Sequence, residues 1–240
     1  MKIKRYSTPK ELSHAAAELF CERVSGKKAF SVALSGGSTP KALYYLLSSS
    51  VYRDKIDWTQ IEFFWGDERG VPPEHYDSNF RMANEVMLSA LPVPENRIHR
   101  FEAERADVKN VISEYETQLV EILGDPPAFD LILLGMGSDG HTASLFPHSP
   151  ALDEKTRWVT LNPHGQLGGH RFTLTYPTLN QAKEVVFLVS GKAKANALQM
   201  VLEGEQDPKE YPAQGVSGNI LWMIDEDAAT QLENKGELVQ

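Results

Sequence analysis

The segment GMGSDGHTASLFP, Gly135 to Pro147, puts an aspartate and a histidine inside a glycine-rich loop, directly after the apolar run FDLILL. Imidazole exchanges a proton near neutral pH, so His141 can serve as general base or general acid. Asp139, just before it, can orient the ring and fix which nitrogen carries the hydrogen. Glycines allow close backbone approach. Taken alone, the loop also suits a purely structural histidine. The seven histidines show no H-E-x-x-H spacing and the single cysteine excludes C-x-x-C, so no metal site is indicated. There is no G-x-S-x-G elbow, so a serine nucleophile is unsupported. That leaves His141 acting on water or on a substrate proton.

Four further segments carry polar chemistry. In LSGGSTP, Gly36 and Gly37 let backbone N–H groups converge, and Ser38 and Thr39 add hydroxyls at the start of a helix. That is the pattern of an anion site, most often a phosphate site, and equally that of a capped turn. It is neither a Walker A loop nor G-x-G-x-x-G, so a dinucleotide is not indicated. In WGDERGVPPEHYDSNF, Asp67, Glu68 and Arg69 stand together at a strand end. They read either as a solvated loop with an internal ion pair, or as Arg69 facing an anionic or polarised oxygen and oriented by a nearby acid. RFTLT and SGKAK supply Arg171, Lys192 and Lys194. A lysine at a helix start opposes the helix dipole, and a bound anion is the natural compensation.

The elements that must position these groups alternate. SVALSGG, IEFFWGDER, FDLILLGMG, RFTLT, EVVFLVSG and NILWMID read as strands. STPKALYYLLSSS reads as a helix with a Ser/Thr cap and Pro40 in its first turn. SNFRMANEVMLSAL (cap Ser78), DVKNVISEYETQLVEILG (closed by Gly124), KAKANALQMVLEG and a short EDAATQL read as further helices. The strands are continuous apolar runs, as expected where both faces are covered. The pattern predicts an α/β fold, a three-layer α/β/α sandwich with a mostly parallel sheet, as one domain over 1–240. In such sheets ligands bind beyond the carboxyl ends of the strands, where SGGSTP, GDER, GMGSDGH and SGKAK fall.

Composition narrows the function classes. The chain has 240 residues, 41% hydrophobic and 24% charged, with net charge −9. A general nucleic-acid surface is therefore not expected, and an anionic substrate would need its own cluster of cations and N–H groups. Cys21 is the sole cysteine, which excludes an intrachain disulfide and suits a reducing compartment. MKIKRYSTPKEL has no apolar core of a secretory signal, and no apolar run approaches a membrane span. The expectation is a soluble cytoplasmic protein with no membrane and no nucleic-acid partner.

Taken together, LSGGSTPKALYYLL, WGDERGVPPEHYDSNFRMANEVML, FDLILLGMGSDGHTASLFP, RFTLTYPTLNQAKEVVFLVSGKAKANAL and NILWMIDEDAA resemble the 6-phosphogluconolactonase family, in order and nearly end to end. The wider superfamily includes glucosamine-6-phosphate deaminase and ribose-5-phosphate isomerase. The resemblance implies a modified Rossmann-like sheet and the second step of the oxidative pentose phosphate pathway, in which 6-phospho-D-glucono-1,5-lactone and water give 6-phosphogluconate. It implies a small-molecule sugar-phosphate lactone as partner, a monomer, cytoplasmic location, no cofactor and no metal. Carried over, Gly36, Gly37, Ser38 and Thr39 would cradle the 6-phosphate, with Arg171 and Lys194 completing its neutralisation. His141 would be the base, Asp139 its orienting acid, and Arg69, beside Asp67, the polariser of the lactone oxygen. The chain departs from the family pattern at NPHGQLGGH, with His164 and His170 in a glycine-rich loop, and at YPAQGVSGN. Two alternatives remain at this level: a sugar-phosphate deaminase or isomerase in which Asp67 abstracts a C–H proton, and a non-catalytic sugar-phosphate sensor.

Overall fold

Strands whose residues are apolar throughout need cover on both faces, and three of them form the centre of the molecule. In a computed structural model, which describes residues 2–163 and 169–239, every residue of β2 (Phe30–Leu34), β5 (Leu131–Leu134) and β8 (Val185–Val189) is buried. Around them the described chain runs β1 (Lys2–Tyr6), α1 (Pro9–Val24), β2, α2 (Ser38–Leu47), β3 (Ile61–Trp65), β4 (Asp67–Arg69), α3 (Asn79–Val86) and α4 (Val108–Leu123). After β5 follow β6 (Val159–Pro163), β7 (His170–Leu174), α5 (Tyr176–Leu179), β8, α6 (Ala195–Glu203), β9 (Ile220–Asp225) and β10 (Glu237–Leu238).

Seven strands form one sheet in the order β10-β1-β9-β8-β5-β2-β3, and every pairing in it is parallel. Helices flank it, as the three-layer expectation requires. From β2 the chain goes to β3 on one side and later to β5 on the other, so the strand order reverses between β2 and β5. The loops leaving two such strands diverge to opposite faces and open a crevice at their carboxyl ends. Among the described residues no helix is long and apolar enough to cross a membrane.

The structure corrects the sequence expectation at several points. IEFFWGDER is two strands in two sheets. Gly66 turns between them, its N–H donating to Leu34 at 2.8 Å while its carbonyl accepts from the Leu174 N–H at 2.8 Å. RFTLT is therefore not part of the parallel sheet. It is the centre of a separate antiparallel sheet, β4-β7-β6. The helix after SGG has Gly37, not a serine or threonine, at its cap, with no side-chain capping bond. Lys192–Lys194 and Ala228–Gln231 are 3₁₀ turns rather than helix. β1 and α1 carry no continuous apolar run and were not expected. β1 lies between short β10 and β9 and is only partly covered.

Two buried tyrosines finish the strand ends that border the crevice. The Tyr44 hydroxyl on α2 accepts from the Ser35 N–H at 3.0 Å and donates to the Ser35 carbonyl at 2.9 Å. Tyr115 on α4 does the same for Trp65, at 2.9 and 3.2 Å. Each hydroxyl replaces the neighbouring strand where the ladder ends, so the backbone there stays paired. Burial pushes the hydroxyls of both tyrosines far above the ordinary phenol range, which keeps them neutral donors.

Candidate active site

The crevice holds an open cavity of about 220 Å³. Its wall takes Gly36, Gly37, Ser38 and Thr39 from the β2–α2 turn, Asp67 and Arg69 from β4, His141 from the loop after β5, and Lys194 from the turn after β8. Four separate segments thus meet where the pattern of strands and loops placed them. Lys192 is exposed and lies off this wall, so of the two lysines in SGKAK only Lys194 reaches it.

One end of the cavity is built mainly of backbone. Gly37 has φ 104°, a conformation natural to glycine. Because no side chain caps α2, the free N–H groups of its first turn are open to a ligand, with the positive end of the helix dipole behind them. Ser35 adds a hydroxyl to the same end. It is 5% exposed, lines the cavity, and its hydroxyl has no partner among the described residues. Buried polar atoms are rarely left so. Lys194 is half-buried and forms no ion pair among the described residues. Unpaired donors and one unpaired cation around a glycine turn suit a phosphate.

The other end is built of side chains. His141 Nδ1 stands 2.6 Å from Asp139 Oδ1, which also accepts the His141 N–H at 3.2 Å. An ionised carboxylate only accepts, so Nδ1 carries the hydrogen and neutral His141 keeps a free lone pair on Nε2. Burial raises the Asp139 carboxyl, but the charge and hydrogen bonds of His141 outweigh it and hold the group below the usual carboxylate range. The loop around them depends on Gly137. A Cβ there would lie 2.1 Å from His141 Nδ1 and 2.3 Å from Asp139 Oδ1. Thr142 Oγ1 ties the loop back to the Gly135 carbonyl at 2.8 Å. Ala143, next along the cavity wall, holds φ 48°, a left-handed conformation uncommon for a residue with a Cβ.

Arg69 is held by backbone rather than by the acid the sequence suggested. Its guanidinium donates to the Asp77 carbonyl, while its N–H donates to Glu68 Oε1 at 2.7 Å. Glu68 is buried and instead secures the start of α3, accepting the Asn79 and Phe80 N–H groups, each at 2.8 Å, and the Ser78 hydroxyl at 3.0 Å. Burial pushes its carboxyl up, and the backbone donors pull it only partly back. Asp67 accepts from Ser144 Oγ at 2.6 Å and from Asn79 Nδ2 at 3.3 Å. Ser144 is fixed in turn by Thr173 and Asn162 of the small sheet.

Arg171 is not on the cavity wall. It pairs in register with Arg69 across β4 and β7, and burial first, then the Arg69 charge, lowers its guanidinium. His170 packs its ring where a Gly70 Cβ would be, is not on the cavity wall, and its Nε2 is buried without a partner among the described residues. Its imidazole is lowered by burial and by Arg171. His164 lies outside the described residues. Sequence reasoning missed Ser35, Asn79 and Ser144. Only Asn79 left a trace, because Gly36 makes room for it: a Cβ at Gly36 would fall 2.0 Å from Asn79 Oδ1. No group of three or more His, Cys, Asp or Glu is placed to hold a metal ion among the described residues.

Comparison with known proteins gives a consistent result. The family described as glucosamine-6-phosphate isomerases/6-phosphogluconolactonase matches residues 7–222. The chain is similar to the 6-phosphogluconolactonase of Synechocystis sp., 45% identical over 208 residues covering 84% of each chain. It is also similar to the solved structure of 6-phosphogluconolactonase from Trypanosoma brucei, with TM-score 0.83, 32% identity, and 96% of this chain and 98% of the other covered. A monomeric glucosamine-6-phosphate deaminase, 23% identical with TM-score 0.85 and covering 97% of this chain and 100% of its own, shares the fold.

Proposed function

This chain belongs to the glucosamine-6-phosphate isomerase/6-phosphogluconolactonase family, and from that membership we propose that it hydrolyses 6-phospho-D-glucono-1,5-lactone to 6-phosphogluconate. The observation that carries the reading is the Asp139–His141 pair across one cavity from an unpaired phosphate cradle. A lactone is an activated ester, so a positioned water and a base suffice without a covalent intermediate.

The phosphate binds at Gly36, Gly37, Ser38 and Thr39 with Lys194, remote from the reacting carbon, and fixes the orientation of the ring. His141 Nε2 takes a proton from water as the water oxygen attacks C1. The carbonyl oxygen becomes an oxyanion, and Arg69 is the preorganised cation for it. The C1–ring-oxygen bond then breaks, and the ring oxygen takes the proton back from Nε2. Asp139 keeps the required tautomer and stabilises the transient imidazolium. Arg171 acts only through Arg69, by adding positive potential beside it. Asp67 is a structural acceptor here. Its carboxylate is already engaged by Ser144 and Asn79, which argues against C–H proton abstraction by that group and so against deaminase or isomerase chemistry.

All these roles fall on one chain, so the proposal extends to a monomeric enzyme, which sedimentation at assay concentration checks. The main test generates the lactone enzymatically at mildly acidic pH and follows its loss over spontaneous hydrolysis. Turnover by the wild type and its loss in His141→Ala are expected. No excess over background removes the lactonase reading.

A further inference from the structure

Asp225, the last residue of β9, is a fully buried carboxyl with no part in the chemistry above. It forms no ion pair among the described residues. Its partners are instead three donors from two turns. Ser190 Oγ donates to Oδ2 at 2.6 Å, the Gly191 N–H lies 3.0 Å from Oδ1, and the Ala228 N–H donates to Oδ1 at 2.8 Å. A buried carboxyl is costly unless such bonds repay its lost hydration. The place where this cost is accepted is the turn that leads to Lys194.

That turn is short and unusual. Gly191 has φ 95° and caps the 3₁₀ turn Lys192–Lys194, closed by the Lys194 N–H to the Gly191 carbonyl at 3.0 Å. The cap has no side-chain bond of its own. Asp225 therefore supplies the tie that fixes where the chain leaves β8. Ser190 and Lys194 both line the cavity. The Ser190 hydroxyl spends its only hydrogen on Asp225, so it faces the cavity as an acceptor.

We propose that Asp225 is a positioning residue for the anion cradle: by holding the Ser190–Gly191 turn it aims Lys194 at the bound phosphate. The inference deepens the lactonase reading and rests on its phosphate subsite. Asp225→Asn is nearly isosteric and can still accept the backbone N–H groups, but its neutral amide nitrogen replaces the oxygen that accepts from Ser190 at 2.6 Å, so that charge-assisted bond is lost and the Ser190 end of the turn loosens.

The test measures inorganic phosphate affinity by titration calorimetry for the wild type, Asp225→Asn, Lys194→Ala and the double variant, alongside thermal melts. Asp225→Asn should weaken phosphate about ten-fold, the worth of one charge-assisted contact, and should add less than about two-fold in the Lys194→Ala background, because coupled sites are not additive. Phosphate affinity unchanged in Asp225→Asn, or an equal loss with and without Lys194, overturns the proposal. If Asp225→Asn does not fold, Ser190→Ala takes its place in the same cycle. Its loss of phosphate affinity must likewise vanish without Lys194, and persistence of the loss overturns the proposal. With lactone, Asp225→Asn should raise KM with kcat nearly unchanged, and a fall in kcat with KM unchanged also overturns it. A wild type without lactonase activity defeats the proposed function alone, because the phosphate cycle still decides the role of Asp225.

Discussion

The two ends of the cavity are made differently. At the cradle end, donors are left open: the uncapped N–H groups of α2, the Ser35 hydroxyl and the Lys194 ammonium. At the reaction end, groups are tied down: His141 to Asp139, Arg69 to the Asp77 carbonyl, Asp67 to Ser144 and Asn79. The contrast is one of purpose. Open donors wait for charge that the ligand brings, whereas a group that must meet a reacting atom within a fraction of an ångström is held by neighbours before the ligand arrives.

The contrast can be broken most directly at the reaction end. His141→Ala should lower kcat by about a thousand-fold, the middle of the range for a general base, with the melting temperature nearly unchanged. Gly137→Ala should approach the same loss, because its methyl would occupy the space of the Asp139–His141 contact. Wild-type turnover in either variant would dismiss the pair as the base.

Asp139→Asn should cost about ten- to a hundred-fold in kcat, because a neutral amide in place of the carboxylate 2.6 Å from Nδ1 no longer stabilises the imidazolium formed during the reaction. Unchanged kcat in this variant would remove Asp139 as the group that orients the base.

At the cradle end the same logic predicts binding effects. Lys194→Ala should raise KM about ten-fold while kcat changes little, so an equal fall in kcat would place Lys194 at the reaction centre instead. Tyr44→Phe leaves the Ser35 N–H and carbonyl buried without partners, which should cost about 1–3 kcal/mol of stability in denaturant melts and raise KM as the cradle loosens. The smallest effect is expected at Ala143. Replacing it with glycine relieves a left-handed backbone worth about 1 kcal/mol or less after the added chain entropy, so stability should hold or rise while kcat drops a few-fold from a less defined wall.

The difference between the ends also explains what could be read from the chain. The cradle is contiguous: Gly36, Gly37, Ser38 and Thr39 announce a glycine turn running into a helix, and proximity in sequence guarantees proximity in space. The Asp139–His141 pair was legible for the same reason. The split at Gly66 was not, because each half of IEFFWGDER reads as strand and only the pairing partners decide which sheet it joins. Nor was the location of Arg171, which an apolar-flanked strand presents equally well to either end of a cavity. Strand β1, paired on one side only with the short β10, was missed because half-exposed strands carry a weak apolar signal.

By itself, the sequence determined the α/β class, the uniformly apolar central strands, the glycine turn that opens α2 and the neighbouring Asp139 and His141, since each rests on residues within one or a few turns of chain. The tertiary structure decided everything that joins distant segments. It tied Asp67 to Ser144 and Asn79, set Arg171 beside Arg69 and off the cavity wall, brought Lys194 rather than Lys192 to that wall, and bonded the Ser190–Gly191 turn to Asp225. Local patterns fix φ, ψ and burial preference, but long-range hydrogen bonds and strand order choose which polar groups meet, and those meetings set the chemistry.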